Sequence, residues 1–147
     1  SRKGGPIVTA RFFATPQDAA AAFYDALERA DLDAMMAIWA EDEEVTCTHP
    51  GGERLTGFAA VREGWRQIFA SGRRASVRTT DAVQRQGVLL ALASVHEHYS
   101  VPGEEVPRPP VVASNVYVRG AQGWHLLSRH ASGAPATSGA DISATLH

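Results

Sequence analysis

The chain has 147 residues, 44% hydrophobic and 20% charged, as expected of one soluble globular domain with one core. Its formal net charge of −2 gives no electrostatic pull towards nucleic acid or an anionic membrane. A single cysteine, Cys47, excludes an intramolecular disulfide framework and a cysteine-rich zinc site.

The opening segment Ser1–Ala14 carries few structure signals, and SRKGG lacks the apolar run of a secretory signal. No stretch reaches the length of a membrane span, so a cytoplasmic location is expected. Thr15 and Pro16 then open a first helix: threonine suits the N-cap, proline the first helical position, and Asp18 the positive helix end. Ala19, Phe23, Ala26, Leu27 and Ala30 form its apolar stripe. Asp31 caps a short second helix that buries Leu32, Met35, Met36 and Trp39. After an acidic turn, Glu41–Glu44, comes a strand in which Val45, Cys47 and His49 share one face and Thr46 and Thr48 the other. The apolar face turns inward, which points His49 into the interior at the strand's end. Gly51 and Gly52 reverse the chain, and Leu55-Thr56-Gly57 is expected to begin a third helix. Its stripe of Phe58, Val61, Trp65, Ile68 and Phe69 is the strongest helical pattern in the sequence.

From Ser76 the pattern is that of strands: Ser76–Gln84, Gly87–Val101, Val111–Arg119 and Trp124–Ala131, separated by glycine or proline turns. Pro102–Pro110 is too rich in proline for a central strand. Residues 132–147 are small and polar, and are expected to form a flexible tail after a domain of residues 15–131. This order predicts an α+β fold, a cone of three N-terminal helices packed on a curved, mostly antiparallel sheet. The space between helices and sheet is a natural ligand site.

The stretch ADLDAMMAIWAEDEEVTCTHPGGERLTG, the Trp65 helix and the terminal GWHLLSRHAS resemble the nuclear transport factor 2-like superfamily, in its SnoaL-like and ketosteroid-isomerase-like branch. The resemblance spans about residues 15–131 by element order. In the isomerase branch a tyrosine of the first helix and an acid late in the sheet form an oxyanion hole, and an aspartate before a proline is the base. By that resemblance Tyr24 falls on the tyrosine, His49 on the base and Asn115 on the second donor. Two of these three positions differ in residue type from the isomerases, and the superfamily hosts enzymes and assembly domains alike.

Each candidate has a plainer reading beside the functional one. A buried, neutral His49 would serve as a base, or its ring N–H would tie the Pro50-Gly51-Gly52 turn. Tyr24 either reaches the cavity or sits in the core with its hydroxyl satisfied. Asn115 interrupts an apolar strand and needs a partner, either a ligand oxygen or a neighbouring side chain. His96 and His98 share a strand face with Glu97 opposite; a metal shared with His130 or His49 is the less favoured reading, so no metal site is assigned. His130 alternates with Trp124 and Leu126 and is expected inward. Trp39, Trp65, Tyr117 and His130 are taken as pocket-lining residues.

Two functions remain. One is a cofactor-free isomerase, cyclase or dehydratase, or a binder, acting on a small apolar molecule with a carbonyl group. The other is a non-catalytic association module resembling the calcium/calmodulin-dependent kinase II association domain. Either would assemble as a homodimer through an outer sheet face made apolar by Val112, Val116 and Val118, or by their alternates along the strand.

Overall fold

The computed structural model describes residues 11–134. Helix α1 (Pro16–Arg29) starts as its cap residues dictate: Thr15 Oγ1 accepts from the Asp18 N–H at 3.0 Å, with Pro16 in the first turn. It stops at Ala30, which adopts a left-handed conformation (φ 52°). Asp31 Oδ1 accepts from the Ala34 N–H at 3.0 Å and caps α2 (Leu32–Met36).

Strand β1 (Thr46–Thr48) is followed by β2 (Arg54–Thr56), an element absent from the sequence expectation. Leu55 and Thr56 do not open the third helix. They pair antiparallel with Cys47 and Thr46, and the cross-strand ladder satisfies backbone groups that a helix start would leave unpaired. Gly57 (φ 95°) then redirects the chain, its N–H bonded to the Val45 carbonyl, and α3 (Phe58–Ala70) begins one residue later.

The long strands are β3 (Ser76–Gln86), β4 (Leu90–Ser100), β5 (Val111–Gly120) and β6 (Gly123–Gly133). With the short pair they form one curved, mixed sheet in the order β2-β1-β6-β5-β4-β3. Among the described pairings between these strands, only β1 and β6 run parallel. This is an α+β fold in which the inner sheet face and the helices enclose Phe23, Met35, Met36, Trp39, Trp65 and Leu126. No helix is long and apolar enough to cross a membrane, among the described residues.

One irregularity in β6 decides which side chains face that interior. Val116 pairs with Ser128 but Tyr117 pairs with Leu126, so Leu127 is an extra residue, a β-bulge. Before it Trp124 and Leu126 point inward; after it Arg129 and Ala131 do. His130 therefore faces outward and is exposed, which corrects the inward placement expected from uninterrupted alternation. A second bulge, at Asp81 (φ 56°), shifts the pairing of β3 with β4.

Phe13, in the stretch expected to precede the domain, is buried and bridges to Gly123. Ser132 and Gly133 extend β6. The rest of the expected tail from residue 135, and residues 1–10, lie outside the described residues.

Candidate functional site

Alternation along β4 sends Ala91, Val95 and Glu97 to the inner face, where all three are buried. Glu97 has 0% exposure and Arg129, placed inward by the β6 bulge, has 3%. The two form a bidentate pair, with Arg129 Nη1 donating to Glu97 Oε2 at 2.7 Å and Nη2 to Oε1 at 2.9 Å. Tyr24, from α1, donates to Oε2 at 2.6 Å, and Tyr99, from β4, donates to Oε1 at 2.8 Å. Four donors thus meet one carboxylate. The guanidinium also lies over the Phe23 ring, 4.8 Å from its centroid.

Burial alone would push the Glu97 carboxyl up, but the Arg129 hydrogen bonds and charge, helped by both tyrosines, hold it below the usual carboxylate range. Burial and the Glu97 charge push both tyrosine hydroxyls upward, so Tyr24 and Tyr99 stay neutral donors. The carboxylate is ionised, enclosed and fully bonded. It is a poor proton acceptor.

Asn115 is buried on the inner face of β5, between Ala113 and Tyr117. Its Oδ1 accepts from Arg129 Nη1 at 3.5 Å, a long bond, and its amide N–H groups have no partner among the described residues. The Tyr117 hydroxyl likewise has none, and burial pushes it up to about 12. Both line a cavity of about 220 Å3 between α1 and strands β3, β4 and β5. Its walls include Ala20, Ala93 and Val95, with Thr79 and Gln84 towards β3 and Tyr24 beside the buried carboxylate.

His49 stands apart. Its ring is half-buried, edge-on to Trp65 with centroids 4.6 Å apart, and its Nε2 lies 3.6 Å from Cys47 Sγ. It lines a different, open groove of about 490 Å3 between the β1–β2 hairpin and α3, with Leu55, Glu63 and Gly64. Burial, and then the Arg129 charge, lower His49 to about 4, so the imidazole is neutral at pH 7. Burial raises Cys47 to about 12, leaving an unreactive thiol.

The sequence-derived candidates therefore divide. Tyr24, Asn115 and Tyr117 reach one cavity, while His49 lies in another groove. Trp39 and Trp65 are core residues with unpartnered indole N–H groups and line neither space. His130 is on the outer face with His96 and His98; there His96 Nδ1 lies 3.1 Å from Asp81 and His98 Nε2 lies 2.8 Å from Thr80 Oγ1. Among the described residues no three histidine, cysteine or acidic side chains gather as metal ligands.

Sequence reasoning missed Glu97 and Arg129. The Val95-Glu97-Tyr99 alternation was a usable signal for the first, since an acid between two apolar inward positions needs a buried partner. Nothing local marked the second, because the bulge at Leu127 reverses its facing.

The chain is 40% identical to a candidate calcium/calmodulin-dependent protein kinase type II association domain from Thiobacillus denitrificans, over 84% of this chain and 98% of that one (TM-score 0.80). It is 32% identical to a candidate dehydratase of the nuclear transport factor 2-like family from Streptomyces avermitilis, over 80% and 92% of the two chains (TM-score 0.72). A nuclear transport factor 2-like protein from Pseudomonas putida, 17% identical over 84% of this chain and 87% of that one, shares the fold (TM-score 0.74). No curated protein matches the chain. Residues 17–137 match the SnoaL-like domain family, and the chain belongs to that family, within the nuclear transport factor 2-like superfamily.

Proposed function

We propose that this SnoaL-like domain binds a small, neutral, carbonyl-bearing molecule in the cavity beneath α1, and that it does so without proton-transfer chemistry. The observation that carries this reading is the pair Asn115 and Tyr117: two buried side chains with unspent donors facing one cavity. Both donors open onto the cavity rather than onto a protein acceptor, so a ligand oxygen between them could accept from both. At about 30 Å3 per water, the space holds roughly seven waters, the bulk of a six-membered ring with one substituent. The separation of His49 from this cavity supports binding over catalysis, as does the commitment of the Tyr24 hydroxyl to Glu97. Cyclohexanone is a suitable probe, read by two-dimensional amide NMR of the full chain. The Asn115 side-chain amide resonances should shift saturably, and Asn115→Leu should abolish the binding. Shifts confined to surface amides would reject the reading.

A second reading, self-association, is favoured by the outer sheet face. Val83, Leu90 and Leu92 are exposed there, the two leucines at 52% and 45%, beside half-buried Val116 and Val118. A contiguous apolar strip of this kind calls for a cover. The similarity to a candidate association domain supports a second copy of this chain as the occupant, in an isologous dimer. Light scattering at micromolar concentration should give twice the chain mass, and Leu92→Arg should halve it. A monomeric parent chain would reject this reading and leave the ligand reading intact.

A further inference from the structure

Glu97 separates two spaces. Its Oε2 holds Tyr24, which lines the cavity beneath α1, and its Oε1 holds Tyr99, which lines a second cleft of about 440 Å3. This cleft opens where the C-terminal ends of α1 and α3 meet the start of β3 and the end of β4. Leu27, Phe69, Val77 and Val101 make its walls apolar.

The rim is basic. Gly72 (φ 77°) turns the chain out of α3 and sets Arg73 at the edge of the cleft, with Arg108 also lining it. Arg108 is already compensated: its Nε and Nη2 donate to the two oxygens of Glu104 at 2.8 and 2.7 Å. Arg73 makes no ion pair among the described residues. Arg73 is thus the rim cation outside an ion pair, although its charge also acts on Glu104, and Glu28 accepts from the Val77 N–H on the β3 side. It stands over an apolar cleft large enough for a small ligand.

We propose that this cleft binds an amphipathic organic anion, a monocarboxylate whose hydrocarbon body lies against Leu27, Phe69 and Val77 while its carboxylate meets Arg73. The site is independent of the carbonyl site beneath α1, because the Tyr24–Glu97–Tyr99 bonds stand between them. The hydrocarbon provides the affinity and the arginine selects the headgroup.

Isothermal titration calorimetry of the full chain with butanoate, hexanoate and octanoate tests this, with octan-1-ol as the uncharged control. Affinity should climb along the series by about fourfold for each added methylene that is buried. Arg73→Gln should weaken octanoate by roughly threefold to fivefold, the size of one screened ion pair, and leave octan-1-ol unchanged. Val77→Trp, which fills the cleft, should abolish binding of both. Arg73 is exposed, so its variant reports even where the tryptophan variant fails to fold. Asn115→Leu should leave octanoate binding unchanged, which keeps this site's failure distinct from that of the cavity beneath α1. No saturable octanoate binding, or equal affinity for octanoate and octan-1-ol, overturns the proposal. So does indifference of octanoate binding to Arg73→Gln.

Discussion

The Tyr24 hydroxyl donates to Glu97 Oε2 at 2.6 Å. This bond joins the first helix to the fourth strand, and Arg129 extends it to β6, across the intervening β5. The small, fully buried Ala113 occupies β5 between the two charged residues' strands. The same bond removes from ligand chemistry the hydroxyl that the isomerase resemblance would place in an oxyanion hole. An interior built to hold a carboxylate with four donors is organised for rigidity, and Asn115 and Tyr117 are the polar groups whose spare donors face the cavity beneath α1.

Removing one member of the pair should be worse than removing both. Glu97→Leu strands a buried guanidinium, and loss of one partner of a buried ion pair costs about 3–5 kcal/mol. The double variant Glu97→Leu, Arg129→Met leaves no buried charge and should recover much of that loss. Urea denaturation measures the cycle. A double-variant loss equal to the sum of the Glu97→Leu and Arg129→Met losses would show that the pair is not energetically coupled.

Tyr24→Phe deletes one donor to an ionised acceptor, a bond worth about 1.5–3 kcal/mol. Tyr99→Phe should cost a similar amount, since its bond to the other oxygen is only 0.2 Å longer (2.8 against 2.6 Å). Thermal melts of the two variants should therefore shift together. A parent-like melt for Tyr24→Phe would count against a buried bond at this site.

Acid should destabilise the fold in two stages. His49 titrates at about 4 in the folded chain against 6.5 ordinarily, so between those values the unfolded chain holds a proton that the folded one refuses. Stability then falls as pH falls, by at most about 1.4 kcal/mol per unit and less for a half-exposed ring. Glu97, held below its ordinary 4.5, contributes stability that is complete above that value and lost as pH drops through its lower folded value. Denaturation midpoints of His49→Gln between pH 4 and 6.5 should be flatter than those of the parent. An unchanged slope would remove His49 as its source.

The capped starts of α1 and α2, the Trp65 helix and the four long strands were legible because each rests on local chemistry: Thr15, Asp31, helical apolar spacing and period-two alternation. β2 was not, because Leu55 and Thr56 become a strand only through Cys47 and Thr46 across the hairpin. The site was half legible for the same reason. Asn115 announces itself as a polar residue in an apolar strand, whereas Arg129 needs a bulge opposite β5 before it can turn inward. Alternation extrapolated through Leu127 picks His130 instead.

Two glycines three residues apart should respond unequally to alanine. Gly123 has a φ of 87°, which disfavours any side chain, and a Cβ there would strike the backbone carbonyl of Phe13. That carbonyl accepts from the Trp124 N–H at 2.8 Å, and the bridge seats Phe13 in the core against His125, centroids 5.7 Å apart. Gly123→Ala therefore pays about 1–2 kcal/mol for the left-handed backbone and, beyond that, pushes away the Phe13 strap. A Cβ at Gly120, at the other end of the same turn, meets nothing within 4 Å. Gly120→Ala should stay within about 0.5 kcal/mol of the parent, as ordinary surface changes do. Chemical denaturation of the two variants decides the matter, with hydrogen exchange at the Trp124 amide as a local readout. Faster exchange in Gly123→Ala alone is expected; equal stabilities would mean that the approach of Phe13 to Gly123 does not hold the N-terminal segment.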